Sequence, residues 1–351
     1  MAVGWQQAYG STPLVCERSL DLEREGFGFL LLPRGFQALR SLGVDPETEL
    51  QGHRIDHVRL ITTTGDTIGE HRFKPFILAL DRSQLLAILR SRLDPLQLRR
   101  GLWFEDLVQA DARVTSVRFR GGEELGADLV FGADGADSRC RRALFDRQEQ
   151  ASMAATVARV NEFVALVPNS PLAARLGSGM LKIVEPGLGL AVGLLPLGQG
   201  RLVWYVQFDT VRYGRPLAGE WAPFLQQLLL TYPEWVREEI AMAPGVVPHL
   251  WRPLDLDPPR RLVGANVALL GDAGHPLLPF TSQGVNLALE DACLLRDLLW
   301  DCRDPEAITG ALRAYEQQRL PVLRHFVEAG RSMANSFLAP GPNPGLLPVA
   351  S

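Results

Sequence analysis

The apolar run "NVALL", Asn266 to Leu270, breaks into "GDAGHPLLPFTSQGVNLALEDA", Gly271 to Ala292, and this passage limits the possible folds more than any other. A short valine- and leucine-rich run ending on glycine reads as a strand buried on both faces, and from Gly284 the apolar residues recur at helical spacing for about five turns. A buried strand feeding a loop and then a helix is the unit of an open α/β sheet, whose ligands sit beyond the carboxyl ends of the strands. Asp272 therefore falls on a loop facing a crevice. Its carboxylate can accept hydrogen bonds from sugar-alcohol hydroxyls, Pro276 and Pro279 stiffen the path, and Gly284 lets a ligand approach the backbone. The amides of Gly284, Val285 and Asn286 open the helix, where unpaired N–H groups and the dipole suit a group that becomes negative. A lone Gly-Asp pair favours a plainer reading, in which Asp272 caps a helix and the glycines are turn residues.

A second passage repeats the pattern. In "ADLVFGADGADSRCRRAL" a buried strand breaks at Gly132, with Asp134 and Gly135 in the loop and Ser138 and Arg141 on the turn beyond. Helices are expected at "RGFQALRSLG", with Phe36, Leu39 and Leu42 on one face, at "DRSQLLAILRSRL", and over Trp5–Tyr9, closed by Gly10. "TPLVCE" reads as a short buried strand ending in Glu17, and "RVTSVRFRGGEEL" as a hairpin turned at Gly121 and Gly122. Between Ser152 and Arg252 strands dominate, "GLAVGLLPL" and "RLVWYVQFD" most clearly, with one helix from about Glu220 to Met242. On the second of these strands alternation sends Trp204, Tyr205 and Phe208 to different faces; most of these rings are core, and Tyr205 is the candidate substrate contact. Pro305 to Phe337 reads as helix bent at Pro321, and the Pro/Gly-rich end as disordered.

Composition narrows the partners. Lys plus Arg at 36 against Asp plus Glu at 40 leaves a net charge of -4, without the basic field that nucleic acid requires. Cys16, Cys140, Cys293 and Cys302 are scattered, and no histidine joins them at metal-ligand spacing, so neither a zinc site nor a disulfide framework is expected. His53, His57, His71, His249 and His325 are likewise expected to be structural. No apolar run reaches the ~18 residues of a membrane span and no secretory signal opens the chain, which points to the cytoplasm, with a monomer or homodimer as the assembly.

Taken together, the two loop passages resemble the inner signatures of the class-A FAD-dependent aromatic hydroxylases, the para-hydroxybenzoate and salicylate hydroxylase-like monooxygenases. The family's GDxxHPxxPxxxQGxNxxxED is matched at Gly271, Asp272, His275, Pro276, Pro279, Gln283, Gly284, Asn286, Glu290 and Asp291, and its DGxxSxxR at Asp134, Gly135, Ser138 and Arg141. The resemblance implies an α/β fold: a Rossmann-like FAD-binding domain, a β-sheet substrate domain inserted in it, and a C-terminal helical region. It divides the chain into 1–48, 75–150 and 260–303 for FAD, 49–74 and 151–259 for substrate, 304–338 as helices and 339–351 as disordered tail. It further implies that Glu17 holds the adenosine ribose, that Arg82 lies at the head of a helix against the flavin, and that Asp134 supports the pyrophosphate side. Gly271, Asp272 and Pro279 would form the loop, with Asp272 on the ribityl chain, and Gly284, Val285 and Asn286 would face the pyrimidine edge of the ring. Arg34 stands where the family more often shows Asn. His275, tempting as a general base, is expected to be structural, and no residue receives a catalytic role.

The activity implied is that of a monooxygenase reduced by a visiting NAD(P)H, inserting one oxygen atom of O2 into a small aromatic or unsaturated apolar substrate by way of a flavin hydroperoxide. A same-fold flavin reductase or dehydrogenase that does not use O2, and a relic that holds no flavin, are the alternatives; the WxWxIP segment of flavin halogenases is absent. The family's GxGxxG loop should lie some 20 residues before Glu17. Only sixteen residues precede Glu17, so the expectation is a truncated N-terminal segment, with a mis-assigned start preferred to a real loss.

Overall fold

The computed structural model describes residues 1–21, 26–145, 156–217, 219–241 and 245–339. The tail expected to be disordered lies outside these from residue 340 onward, as does Met242 at the expected end of a helix.

One sheet of eight strands dominates, in the order β15-β11-β14-β13-β12-β3-β4-β2. Its members are β2 (Gly28–Leu31), β3 (His53–Thr62), β4 (Thr67–Asp81), β11 (Val160–Val167), β12 (Gly179–Glu185), β13 (Leu190–Gly198), β14 (Arg201–Asp209) and β15 (His249–Trp251). Strict alternation along β11 to β14 gives it two chemically different faces. Phe163, Ala165, Leu181, Ile183, Val192, Leu194, Trp204, Val206 and Phe208 project together to one side. They meet α6 (Trp221–Leu228) and α7 (Glu234–Ala241), which bury Leu225, Leu228, Val236 and Ile240 against them. The single helix expected there is broken. Pro233 supplies no amide and disfavours helical backbone at Tyr232, and the Tyr232 ring tucks into the core at the break.

The opposite face turns toward the two loop passages. Leu30, Ile55, Ile77, Val164, Met180, Leu195 and Val203 pack as one cluster, and Val160, Val184 and Ala191 join Leu278, Phe280 and Phe337 in another. Gly28–Leu31 and Ile77–Asp81, which the sequence assigns to the FAD side, are paired into this same sheet.

The remaining strands are short. β1 (Val15–Glu17) runs parallel to β5 (Leu98–Arg100) and is half-buried, less covered than its apolar sequence predicts. β6 (Phe104–Ala110), β7 (Arg113–Phe119) and β8 (Glu124–Gly126) form the expected hairpin and its neighbour, and β10 (Thr156–Val157) pairs with β16 (Leu254–Asp255). β9 (Val130–Gly132) runs parallel to β17 (Val267–Leu269), in register Val130↔Val267 to Gly132↔Leu269.

Around these pack α1 (Ala2–Tyr9), α2 (Pro33–Ser41), α3 (Arg82–Ser91), α4 (Arg139–Leu144), α5 (Pro171–Leu176), α8 (Gly284–Leu299) and α9 (Pro305–Leu338). Helix α9 continues through Pro321. No described helix is long and apolar enough to cross a membrane.

Candidate cofactor and substrate site

The parallel pairing of β9 with β17 brings the two loop passages side by side. Both strands end at the same level, and the Leu270 amide donates to the Gly132 carbonyl at 2.9 Å, so Asp134 and Asp272 leave adjacent strand ends. Arg141 joins the loops. Buried at 6% exposure, its guanidinium donates to the carbonyls of Ala273 (2.7 Å), Asp272 (3.3 Å) and Ala136 (2.7 Å). The signature predicts an arginine here, but nothing in its spacing marks it as spanning both loops.

Asp134 itself is occupied. Its carboxylate accepts from the amides of Arg139 (2.7 Å) and Cys140 (3.0 Å) and from the Ser138 hydroxyl, fixing the start of α4. Asp272 is placed differently. Its side chain stays open to solvent yet is ringed by protein, as a group in a concave site is: desolvation pushes its pKa up, while His275, Arg82 and Arg141 pull against that rise. A Cβ built on Gly284 would meet nothing closer than Asp272 Oδ1 at 4.0 Å, so the start of α8 opens onto that carboxylate. The cap residue Gln283 makes no side-chain bond to the helix end, which leaves the first-turn amides facing that space.

The loop between is held rigidly. Gly271 adopts φ 51°, where an L side chain is strained, and a Cβ there would approach Ala288 Cβ at 3.0 Å. Its amide donates to the buried Asp291, which also receives His275 Nε2 and Arg319 Nε, both at 2.6 Å. Burial pushes the Asp291 pKa up, but His275 and Arg319 outweigh it and hold the carboxyl below its ordinary range. His275 is thus a buried partner of Asp291, 1% exposed. Arg319, from α9, was not foreseen, because nothing in a helical stretch of mixed charge marks the one arginine that turns inward. Pro279 begins a short 3-10 turn, Pro279–Thr281, that presses Phe280 onto the sheet.

Asn286 is a rivet. Its Oδ1 accepts from the Leu32 amide (2.9 Å), and its Nδ2 donates to the carbonyls of Leu30 (3.0 Å) and Ser282 (2.9 Å). Only its backbone remains for a ligand. Val285 packs partly buried on the α2 and α3 cluster. Arg82 heads α3, where its amide donates to the Phe27 carbonyl at 3.1 Å and Asp81 caps the helix through Ser83. Arg34, on α2, lies 4.0 Å from Glu290 and is largely exposed. Glu17 ends β1, and one of its oxygens accepts from the Ser19 amide at 2.8 Å. Among the described residues no cluster of His, Cys, Asp or Glu suits a metal, and the four cysteines are free.

On the sheet face toward the loops lies a polar row that the sequence did not reveal. Gln207 donates to Glu162 at 2.8 Å and accepts from Lys182 at 2.9 Å, and the Lys182 ammonium sits 5.7 Å from the Phe280 ring and 5.5 Å from that of Phe337. Burial drives both charges toward neutrality, Glu162 up to about 7 and Lys182 down to about 8. Tyr205 lies beside this row, while Trp204 and Phe208 point into the opposite core. Burial pushes the Tyr205 phenol up, and the nearby Glu162 charge adds to the rise.

An open carboxylate, a helix start without a side-chain cap and two strand ends locked in register meet here as the candidate site of this α/β fold. Residues 7–330 match the family described as FAD binding domain. The chain is 31% identical to 3-amino-4-hydroxybenzoate 2-monooxygenase of Streptomyces cremeus, over 93% of this chain and 82% of that one. It is 28% identical to FAD-dependent urate hydroxylase of Klebsiella oxytoca, over 94% and 85%. HpxO of Klebsiella pneumoniae, solved with FAD and uric acid, superposes with a TM-score of 0.81 at 23% identity, covering 95% of this chain and 84% of that one. The chain belongs to the FAD-binding class-A aromatic hydroxylase family, and is an oxidoreductase with FAD as its cofactor.

Proposed function

We propose that the protein is a monooxygenase, reduced by NAD(P)H, that places one oxygen atom from O2 on a small aromatic or unsaturated apolar substrate. The observation that carries this reading is the meeting of Asp272, the open start of α8 and the Pro279–Thr281 turn, which presses Phe280 against the sheet face bearing Tyr205. A cofactor held by the first two groups lies next to a substrate held by the third.

When bound, FAD supplies the redox chemistry by which NAD(P)H delivers two electrons and one atom of O2 enters the product, the other leaving as water. The protein supplies position and charge. Asp272 accepts from the ribityl hydroxyls, Glu17 from the adenosine ribose, and Asp134 keeps α4 beside the pyrophosphate. Arg82 lies against the ring system. The amides of Gly284, Val285 and Asn286 stabilise negative charge gathering at the pyrimidine edge, as preorganised donors do in an oxyanion hole. Tyr205 is the substrate contact, and the apolar side chains around it keep water away. Four free thiols suit a reducing compartment, so the reading places the enzyme in the cytoplasm.

Flavin absorbance of the purified protein tests the cofactor half. Asp272→Ala is expected to lose flavin on gel filtration, and an unchanged flavin content refutes the assignment. Oxygen uptake tests the rest: consumption of NAD(P)H with no dependence on O2 replaces the monooxygenase with a reductase.

A further inference from the structure

Arg201 opens β14 on the face turned toward the loops, where Val203 and Tyr205 follow it at alternate positions. Its Nη1 donates to Asp81 Oδ2 at 2.9 Å, while its Nε and Nη2 are buried with no acceptor among the described residues. The side chain keeps 17% exposure, so these donors are shielded from water on an arginine that still reaches the surface. Asp81 is already engaged elsewhere: its Oδ1 accepts from the Ser83 amide (2.8 Å) and hydroxyl (2.7 Å), capping α3 just ahead of Arg82. The guanidinium is thus anchored through one nitrogen, and the edge formed by Nε and Nη2 has no protein partner.

Elsewhere in the chain that edge takes carboxylates. Arg159 donates from Nε (2.7 Å) and Nη2 (2.5 Å) to the two oxygens of Asp209, and Arg331 turns the same edge to Asp255 and Asp257. Arg319 serves two acids at once, with Nη1 on Glu290 at 2.9 Å and Nε on Asp291 at 2.6 Å. Arg201 has the first of these contacts, in Asp81, and lacks the second. Buried donors on a permanent cation are costly to leave unmatched, and a planar pair of oxygens is the group that fits two parallel N–H bonds.

The surroundings favour an anion held out of water. Gly28, paired with Asp81 across β2 and β4, lies so close to this face that a Cβ would fall 2.7 Å from Leu197 and 3.1 Å from Val203. Charge pairs among such apolar neighbours are weakly screened. Farther along the face the Tyr205 ring lies over Gly193, where a Cβ would come within 1.9 Å of it. Glu162 and Lys182, on the same face, are both bound to Gln207, which leaves Arg201 with the unmet donors. Glu17 and Asp134, assigned to the nucleotide, leave from strands of other sheets, so an anion at Arg201 belongs to the substrate side.

We propose that Arg201 is a specificity-determining residue, selecting aromatic substrates that carry a carboxylate, which Nε and Nη2 hold side-on while Asp81 holds Nη1. The ligand reaches these two atoms by replacing the contacts that cover them. This rests on the monooxygenase reading and adds the substrate class to it.

The test is a minimal pair, benzoate and benzamide, titrated calorimetrically into the flavin-loaded holoenzyme at pH 7, where benzoate is ionised. The wild type is expected to bind benzoate at least about tenfold more tightly, the discrimination of one charge-assisted contact. Arg201→Gln is expected to bring the two affinities within about twofold, and Arg201→Lys, which keeps a charge for Asp81 without the fork, to give an intermediate ratio. A merely structural role for Arg201 leaves this ratio unmoved. Benzoate binding no more tightly than benzamide, or not at all, overturns the proposal, as does an unchanged ratio in both variants. Inorganic phosphate that displaces benzoate at equal concentration points to a nucleotide phosphate instead and overturns it too. If Arg201→Gln fails to fold, the wild-type ratio and Arg201→Lys decide. Oxygen uptake separates the two readings: NAD(P)H consumption without O2 sinks the monooxygenase and leaves the carboxylate preference standing, whereas a ratio near one beside O2-dependent turnover sinks this proposal alone.

Discussion

Removing the Asp291 carboxylate should loosen the cofactor loop from behind. Both oxygens are fully buried and answer three donors: the Gly271 amide at 2.9 Å, His275 Nε2 at 2.6 Å and Arg319 Nε at 2.6 Å. Taking one partner out of a buried ion pair costs about 3–5 kcal/mol, because the other charge is left without compensation. Arg319 retains Glu290 at 2.9 Å and the Leu287 carbonyl at 3.2 Å, which holds Asp291→Ala to the lower part of that range, about 3 kcal/mol. Asp291→Asn keeps an acceptor for one donor and should cost about half as much. Urea unfolding followed by tryptophan fluorescence measures both, and flavin absorbance reports the loop, since Gly271 then loses the bond that holds its strained φ. The pH dependence has a definite sign. With the folded pKa below the unfolded value near ~3.9, Asp291 contributes stability that is complete above that value and is lost as pH falls through the folded pKa. The gap between wild type and Asp291→Asn should therefore close below about pH 4. An unchanged urea midpoint in Asp291→Ala, or a gap that persists in acid, refutes this account of the loop.

Arg141→Met should cost about 2–3 kcal/mol and lower flavin retention, because three carbonyls on two loops lose their shared donor; urea unfolding and flavin absorbance check it. Asn286→Ala leaves the Leu32 amide buried without an acceptor, for a loss of about 1–3 kcal/mol. Gly35→Ala should be worse, since its Cβ would fall 2.2 Å from Asn286 Oδ1, and the double variant should be less damaged than the sum of the singles. Gly193→Ala forces the Tyr205 ring off the sheet, and substrate affinity, measured by calorimetry, should fall about tenfold while flavin content holds.

The cofactor half was legible because its requirements fall on the backbone. A positive φ, a helix start without a side-chain cap and a rigid turn each select a residue type, so Gly271, Gly284 and Pro279 stand at fixed spacing in the sequence. The two buried strands, each breaking into a glycine-bearing loop, are legible on the same grounds, though not their register of Gly132 with Leu269. The substrate half of this reading writes its requirements on side chains of a sheet covered on both faces, where burial no longer alternates: β12, Lys182 included, and β13 are buried along nearly their whole length. Glu162, Lys182 and Gln207 come from three separate strands, and only the register brings them together. The break at Pro233 was available to a stricter reading, since a proline inside a helical pattern marks an end.

One segment makes the two halves interdependent. The loop from His275 to Gln283 is anchored behind by the Asp291 pair and in front by Phe280, whose ring rests in a cluster with Val160, Val184 and Ala191 and close to the Lys182 ammonium. Its cofactor end is set by ion pairs within the helical layer; its substrate end is set by packing on the sheet. Interiors this dense transmit displacement rather than absorb it. A change of volume at Val184 or Ala191 therefore acts on the turn at Pro279, and through Gly284 on the amides that open α8. Phe280 on the sheet and Asn286 on Leu30 and Leu32 are thus two separate ties between this loop and the sheet, one of packing and one of hydrogen bonds.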